Sequence, residues 1–342
     1  MSADPRPATI AAFVRGDAVP GFVEGLLAHA DAERHARWRA WWRAWEAKAD
    51  AAPVRAAFHA LPAAAQLRLY RAPETWSLLH GAGQGGRGYD IGLMSDWIDA
   101  ERGRGWTALG DRRDGRLMAA SILDGPVVDA LSPAAWRPLN EIPGTAEPYD
   151  DAGAETAARN VALAFDLLAR CSDVWAEAVL RLAATIVCRC DPRTATTTSS
   201  TTRLALGRIV LRNAHLPDAT PAVLADALLH ETVHILIDHA ELGQRLLADG
   251  GADIVSPWSE RPLDANTFMH ACYVWRALFA FWLRALRLGV APEDTCIRRM
   301  TQCARGFTGV RPVESLLPRD TPRAVRLAVA GLGDEVAQCL AA

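Results

Sequence analysis

The sequence has neither a surplus of basic residues nor a long apolar run. Lysine and arginine number 37 against 40 aspartates and glutamates, which gives a net charge of −3. Nucleic-acid-binding proteins usually carry a clustered positive surplus, so we expect no nucleic-acid partner. No apolar stretch reaches the roughly 20 residues that span a bilayer, and the first residues do not resemble a secretion signal. We therefore expect a cytoplasmic protein outside the membrane.

The cysteines form neither a disulfide framework nor a zinc finger. Seven of them, an odd number, are scattered over 342 residues, which fits a reducing cytoplasm. Cys188 and Cys190 are separated by a single arginine, and Cys296 and Cys303 fit one helix face. Because neither pair has finger spacing, we expect buried thiols rather than metal ligands.

Most of the chain has the apolar spacing of helices, including residues 8–80, 154–186 and 283–342. One interruption is Asp114-Gly115, which lies between apolar runs and is typical of a hairpin turn. Half of the residues are apolar, so a full core can form in one large domain or two. We predict a mainly α fold of the α+β type with a small sheet or hairpin and a zincin-like metal helix.

A segment rich in proline and glycine, 132–153, is the best candidate for a domain boundary. We assign 1–150 to a mostly helical N-terminal region with the hairpin, and 151–342 to a metal-binding catalytic region. Residues 81–86 match a dinucleotide-binding fingerprint in spacing. No strand clearly precedes them and no helix clearly follows, so we interpret them as a loop.

Four tryptophans share one face of the first long helical segment. Trp38, Trp41, Trp42 and Trp45 fall at i, i+3, i+4 and i+7. Such a stripe can stack on bases or hold an aromatic peptide, but it is more often core or a subunit contact. A homodimer is therefore conceivable.

The motif that carries chemistry is His230-Glu231-x-x-His234, inside an apolar run that begins after Thr220-Pro221. Thr220 fits an N-cap and Pro221 a first helical turn. Side chains at i and i+4 lie on one helix face, so both imidazoles can bind one metal ion. The alternative is a pair of hydrogen-bonded core histidines.

Other polar residues of this helix fit different roles. His239 lies about 180° round the helix from His230, which argues against a ligand role. Asp226, one turn before His230, is either an orienting partner for that ring or a solvated carboxylate. Glu241 lies about 10 Å along the axis from the motif, too far to share its ion directly.

The run 203–212 alternates apolar and polar residues and predicts a half-buried strand. A strand just before a metal-binding helix commonly forms a wall of the cleft. Its edge can then pair with an extended peptide. The alternative is ordinary sheet structure without a binding role.

Residues 196–282 resemble the HExxH-type peptide β-hydroxylases that modify ribosomally made peptide natural products. The matching features are the Ser/Thr-rich lead into a strand, Leu-Leu-His-Glu-x-x-His, Ser-Pro-Trp-Ser-x-Arg-Pro-Leu and Met-His-Ala-Cys-Tyr-Val-Trp. The resemblance implies an iron(II) enzyme that uses 2-oxoglutarate and O2 to hydroxylate a side-chain β-carbon of a precursor peptide. Thr232-Val233 departs from the residues expected after the motif's glutamate.

The resemblance also suggests how the ion and 2-oxoglutarate are held. Oxygen-activating iron usually has three protein ligands, and the resemblance places His270 beside the metal helix as the third. A guanidinium can bind the distal carboxylate of 2-oxoglutarate in a bidentate manner. Our first candidate for that anchor is Arg261, followed by two arginines of the predicted strand, Arg208 and Arg212.

Three further residues stay open as the third metal ligand if His270 is a buried, capped histidine: Glu260, Asp253 and Asp264. Glu231 has no necessary role in hydroxylation, whereas a zinc peptidase uses this glutamate as its general base. A zinc metallopeptidase is therefore the alternative function. A structural zinc site is a weaker one, since no fourth ligand is evident. The expected partners are a precursor peptide and a leader-peptide-binding protein.

Overall fold

A computed structural model describes residues 4–46, 51–81, 95, 98, 112–113, 116–117, 120–121, 125–130, 147, 149–247 and 253–341. The chain is mainly helical with a small sheet, which confirms the predicted fold class. Among the helices in these ranges, none has the length and apolarity needed to cross a bilayer. The predicted loop at 81–86 lies almost entirely outside the described residues.

The helices follow one another with short breaks. They are α1 (Arg6–Val14), α2 (Phe22–Glu46), α3 (Ala52–His59), α4 (Ala63–Arg71), α5 (Pro73–Gly81), α6 (Asp151–Cys171), α7 (Asp173–Leu182), α8 (Pro221–Ala240), α9 (Ala265–Leu288), α10 (Glu293–Ala304) and α11 (Arg323–Ala341). The predicted helix over 154–186 is wrong at its end, because the chain turns into a strand at Thr185. A short apolar run does not distinguish a buried strand from a helix.

The strands are β1 (Arg112–Arg113), β2 (Arg116–Leu117), β3 (Ala120–Ser121), β4 (Val127–Asp129), β5 (Thr185–Arg189), β6 (Thr198–Ser200), β7 (Arg208–Arg212), β8 (Ile254–Val255) and β9 (Pro262–Leu263). The pair β1–β2 is the predicted hairpin, with Arg113 opposite Arg116. The main sheet has the order β3-β4-β5-β7-β6, in which β4, β5 and β7 are parallel and β6 is antiparallel to β7.

Strand β7 differs from its prediction in two ways. Its first four residues are buried, because β7 lies inside the sheet between β5 and β6. Both of its edges are therefore occupied, and the expectation that it offers an edge to a peptide is wrong. The outermost strand on this side, among the described residues, is β6. The tract before β7 forms a 3-10 turn, Arg203–Ala205, instead of strand.

The core collects around α8, which packs on α6, α7 and α9. Helix α1 belongs to the same core through Ile10, Phe13 and Val14. A division of the chain at residue 150 stays a prediction. All seven cysteines are free, and Cys188, Cys296 and Cys303 are buried. These three thiols agree with the expectation of buried thiols, whereas Cys190, the partner of Cys188 in the sequence pair, is only half-buried.

A second, smaller core contains Trp38, Trp41 and Trp42 of the tryptophan stripe. Trp38 stacks on Trp42 with ring centroids 5.3 Å apart and contacts Phe58 and Tyr70 at 5.6 Å. Trp41 is buried in the same cluster. These rings therefore pack within the chain, which supports the core interpretation of the stripe.

Helix α8 is fixed at both ends. Thr220 Oγ1 accepts the Val223 N–H at 3.4 Å, which confirms the predicted N-cap. At the other end, the Arg6 guanidinium donates to the carbonyls of Ala240 and Gln244 at 2.6 and 2.7 Å. A cation at this end also complements the helix dipole.

Asp226 braces α8 against its neighbours and does not orient His230. Its carboxylate is buried and accepts from Trp282 Nε1 on α9 and from Arg299 on α10, the latter at 2.7 Å. Both interpretations given for Asp226 from the sequence are wrong, because its partners come from helices more than 50 residues away in the chain.

Replacement of Asp226 by alanine should lower the free energy of unfolding by about 3 kcal/mol, because it leaves Arg299 and the Trp282 N–H without their acceptor. Asp166→Ala, on the exposed face of α6, is the matched control and should change it by less than about 0.5 kcal/mol. Urea denaturation measures both values. Equal stability of the two variants would contradict the bracing role.

Candidate metal centre

A cavity of about 390 Å³ lies between α8, α9 and the edge of the sheet. Its histidines are His230, His234 and His270, so the structure brings the three predicted metal ligands to one space. The hydroxyl-rich run 199–202, which begins in strand β6 and continues past its end, also lines the cavity. Arg203, Arg245 and Asp238 complete the charged lining.

The closest pair of metal-binding atoms is His234 Nδ1 and His270 Nδ1, 3.2 Å apart. Two imidazole nitrogens bound to one ion at about 2.1 Å each lie about 3.0–3.4 Å apart. His234 and His270 are therefore spaced to share an ion. Burial, with His230 and His270 nearby, holds the pKa of His234 well below its usual value, so its ring is neutral and available as a ligand.

The other nitrogen of His270 faces Glu241 and Asn266. Its Nε2 lies 3.7 Å from Glu241 Oε2 and 3.4 Å from Asn266 Nδ2. Glu241 itself accepts from the Leu246 N–H at 3.0 Å and from Asn266 at 3.3 Å. Helix spacing alone places Glu241 too far along α8 to share the ion directly, but it does not reveal that Glu241 lies beside the third histidine. Carboxylates in this position commonly orient metal-binding imidazoles.

Glu241 stays ionised although it is buried. Burial raises the pKa of Glu241. The hydrogen bond and charge of His270, together with hydrogen bonds from Leu246 and Asn266, outweigh this effect and lower the pKa below its usual value. Arg203 adds a cation, with NH1 3.5 Å from Glu241 Oε2 and NH2 donating to the Glu241 carbonyl at 2.9 Å. Trp76 Nε1 in turn donates to the Arg203 carbonyl at 3.2 Å. The N-terminal helices thereby help to hold this wall.

Asp238 is an acidic residue of the cavity that was not predicted from the sequence. It lies one helical turn after His234 on the same face of α8. Burial raises its pKa to about 6. Asp238, Glu241 and His270 place one donor atom each within 4.8 Å of one another. Within the described ranges, no other trio of His, Cys, Asp or Glu is this compact. The i, i+4 spacing from His234 is the signal that could have found it.

Glu231 points into the same cavity but is tied to the sheet. Ser199 Oγ on β6 donates to Glu231 Oε1 at 2.6 Å, and His230 Nε2 lies 3.9 Å from the same oxygen. Burial raises the pKa of Glu231, against the lowering effects of His230 and Ser199. The motif suggests that Glu231 could act as a general base. Its position is less suited to that role, because one of its oxygens already accepts a hydrogen bond from Ser199.

The three other candidates for the third metal ligand lie outside the cavity. Asp264 caps α9, accepting the Thr267 N–H at 2.9 Å, and Glu260 occupies a left-handed turn position, with φ 58°, where it pairs with Arg305. Asp253 is exposed. None of the three lines the cavity.

The three predicted anchors for 2-oxoglutarate also lie outside the cavity lining. Arg261 is exposed at the turn between β8 and β9, where its carbonyl accepts the Ser256 N–H at 2.9 Å. The side chain of Arg208 is fully buried in β7, and Arg212 ends that strand. The arginines at the cavity are instead Arg203 and Arg245.

No protein-family model matches this chain, and no curated protein is significantly similar to it.

His239 is a core residue, as its position on the helix predicts. Its Nδ1 lies 2.8 Å from the Ile235 carbonyl, and burial lowers its pKa to about 4. A histidine with a depressed pKa resists protonation in the folded state, so the unfolded state binds more protons between about pH 6.5 and 4. The buried neutral ring of His239 therefore contributes fully to stability above this pH range, and that contribution is lost as the pH falls through it.

We expect the stability difference between metal-free wild type and His239→Gln to decrease by about 2 kcal/mol from pH 7 to pH 4.5. Urea unfolding at several pH values measures it. The exposed His35→Gln is measured alongside it as the surface control. A difference for His239→Gln that is constant across this range would refute the depressed pKa.

Proposed function

We propose that this chain is a metal-dependent enzyme that hydroxylates a side-chain β-carbon of a ribosomally made precursor peptide, with iron(II) and 2-oxoglutarate. The single observation that carries the proposal is the 3.2 Å approach of His234 to His270 across an accessible cavity. His230, His234 and His270 would hold the ion. Iron(II) would supply the oxidising chemistry by activating O2 with 2-oxoglutarate.

The remaining lining supports binding of a carboxylate and a peptide. Arg203 and Arg245 are the cations that a 2-oxo acid would meet, in place of the arginines predicted from the sequence. Strand β6 has its inner edge paired with β7, and its Ser199 and Ser200 line the cavity. An extended peptide added beside β6 would pass these hydroxyl groups on its way to the ion. Such a peptide, a leader-binding partner and a cytoplasmic setting belong to the same proposal.

Iron-reconstituted protein should form succinate from 2-oxoglutarate when a precursor peptide encoded beside its gene is added, and the peptide should gain 16 Da. Mass spectrometry measures both products. The zinc-loaded protein is the control and should form neither. If the zinc form cleaves the peptide and the iron form makes no succinate, the chain is a peptidase instead.

A zinc peptidase is the second candidate because Glu231 of the His-Glu-x-x-His motif lines the cavity. Its function there would be general-base catalysis on a metal-bound water. Against it, Oε1 of Glu231 accepts a hydrogen bond from Ser199. A peptidase would therefore require Glu231 as a base, whereas a hydroxylase would not.

Glu231→Gln separates the candidates, because glutamine preserves shape and can still accept from Ser199. A hydroxylase should retain its turnover within about tenfold, whereas a peptidase should lose about a thousandfold or more with its base. Metal content must be equal in both proteins, and Glu293→Gln on α10 serves as the surface control. A thousandfold loss of hydroxylation at full iron content would give Glu231 a role in the reaction.

A further inference from the structure

A second cavity, of about 600 Å³, lies at the carboxyl ends of the parallel strands β5 and β7. Its lining comes from two segments, 190–195, which follows β5, and 213–218, which follows β7. In open sheets, ligands commonly bind outside the carboxyl ends of parallel strands. The volume is in the range of small-ligand pockets. We call this cavity the strand-end cleft.

Acidic groups surround the strand-end cleft. Asp191 and Asp218 line it. The half-buried Cys190 lines it as well, and burial, followed by the charges of Glu147, Asp191 and Asp150, raises the pKa of its thiol. These carboxylates therefore act on the cleft as negative charges, and a cation is the ligand that they favour.

Asp191 is the buried carboxylate of the cleft and is only partly satisfied. The residue is 9 % exposed, and its Oδ1 accepts the backbone N–H of Arg193 at 3.1 Å. In the part of the chain that the structure describes, its Oδ2 accepts no hydrogen bond. The side chain of Arg193 is exposed. Because a buried carboxylate is costly unless a donor or cation compensates it, Oδ2 is open to a positively charged group that enters the cleft.

The lining favours an organic cation over a metal ion. Among the described residues, no three metal-binding side chains of the cleft lie within 4.8 Å of one another. Much of the remaining wall is apolar and consists of Pro192, Ala195, Leu216 and Pro217. Apolar walls beside carboxylates suit the methylene stem and the charged head of a lysine or arginine side chain.

Strand β6 connects the strand-end cleft to the metal cavity. Thr197, the residue before β6, donates from Oγ1 to the Asn213 carbonyl and from its N–H to Asp218 Oδ2, each at 3.3 Å. Two residues later, Ser199 lines the metal cavity and donates to Glu231. A peptide beside β6 advances about 3.3 Å per residue, so it would pass from one cavity to the other within about three to five residues.

We propose that the strand-end cleft binds a lysine or arginine side chain of the precursor peptide, with Asp191 as the main contact. The inference rests on the proposed function, from which it takes the peptide and its path along β6. It adds a determinant of substrate specificity. The basic residue lies about three to five positions from the peptide residue that reaches the metal centre.

The test is binding of the fluorescein-labelled precursor peptide encoded beside the gene to the metal-free protein, measured by fluorescence anisotropy. Asp191→Asn should raise the Kd about tenfold, because a charge-assisted hydrogen bond is lost while asparagine can still accept the Arg193 N–H. The exposed Asp218→Asn should raise it about threefold. Asp166→Asn, on the exposed face of α6, makes the same change in charge and should alter the Kd by less than about twofold.

Peptide variants show whether the contact is direct. Each lysine and arginine of the peptide is replaced in turn by glutamine. One replacement should raise the Kd of the wild type about tenfold and that of Asp191→Asn by less than about twofold, because the two changes remove the same interaction. An unchanged Kd for Asp191→Asn, or replacements that all weaken both proteins equally, would overturn the inference.

These measurements separate the inference from the proposed function, because binding is measured without metal. If Asp191 is coupled to one basic residue of the peptide but the iron-loaded protein forms no succinate, the cleft stands as a peptide site and the hydroxylase function fails. If the iron-loaded protein hydroxylates a peptide whose binding does not depend on Asp191, the function stands and the inference is wrong. A wild type that does not bind the peptide also overturns the inference.

Discussion

The approach of two imidazole rings from different helices is the constraint on which the cavity depends. His234 on α8 and His270 on α9 face each other through their Nδ1 atoms at 3.2 Å. At this distance the two rings make only a weak contact with each other, but they are well placed to bind a shared ion. The helices must therefore keep a fixed relative position, since a shift of about an ångström would separate the two donors.

The fold supplies this fixed position through polar contacts inside an apolar core. Trp282 on α9 and Arg299 on α10 both donate to Asp226 on α8. On the other side of His270, Glu241 is held by Asn266 and by Arg203, and Trp76 holds the Arg203 turn from the N-terminal helices. Buried networks of this kind specify one arrangement because a partly satisfied network is costly. Helices α8 and α9 are thus connected to α10, to the turn at Arg203 and, through that turn, to the N-terminal helix α5.

The sequence predicted those features that depend on local spacing. The α8 helix, its Thr220 cap, the core position of His239 and the hairpin at 114–115 all follow from rules that act within a few residues. The sequence did not predict features that depend on contacts between distant segments of the chain. The partners of Asp226, the interior position of β7 and the place of Arg261 depend on tertiary packing that no periodicity encodes. Ser199 lies in the Ser/Thr-rich tract and Asp238 lies one turn after His234, but neither was singled out, because the side chains that surround them become visible only in the folded chain.

The most direct test of the central claim is an anomalous-difference map from crystals of the wild-type protein loaded anaerobically with iron(II). The account predicts one strong peak in the cavity between α8 and α9, within about 2.1 Å of a ring nitrogen of His234 and of His270. A peak at the cysteines or on the surface, with these two rings left unligated, would contradict it.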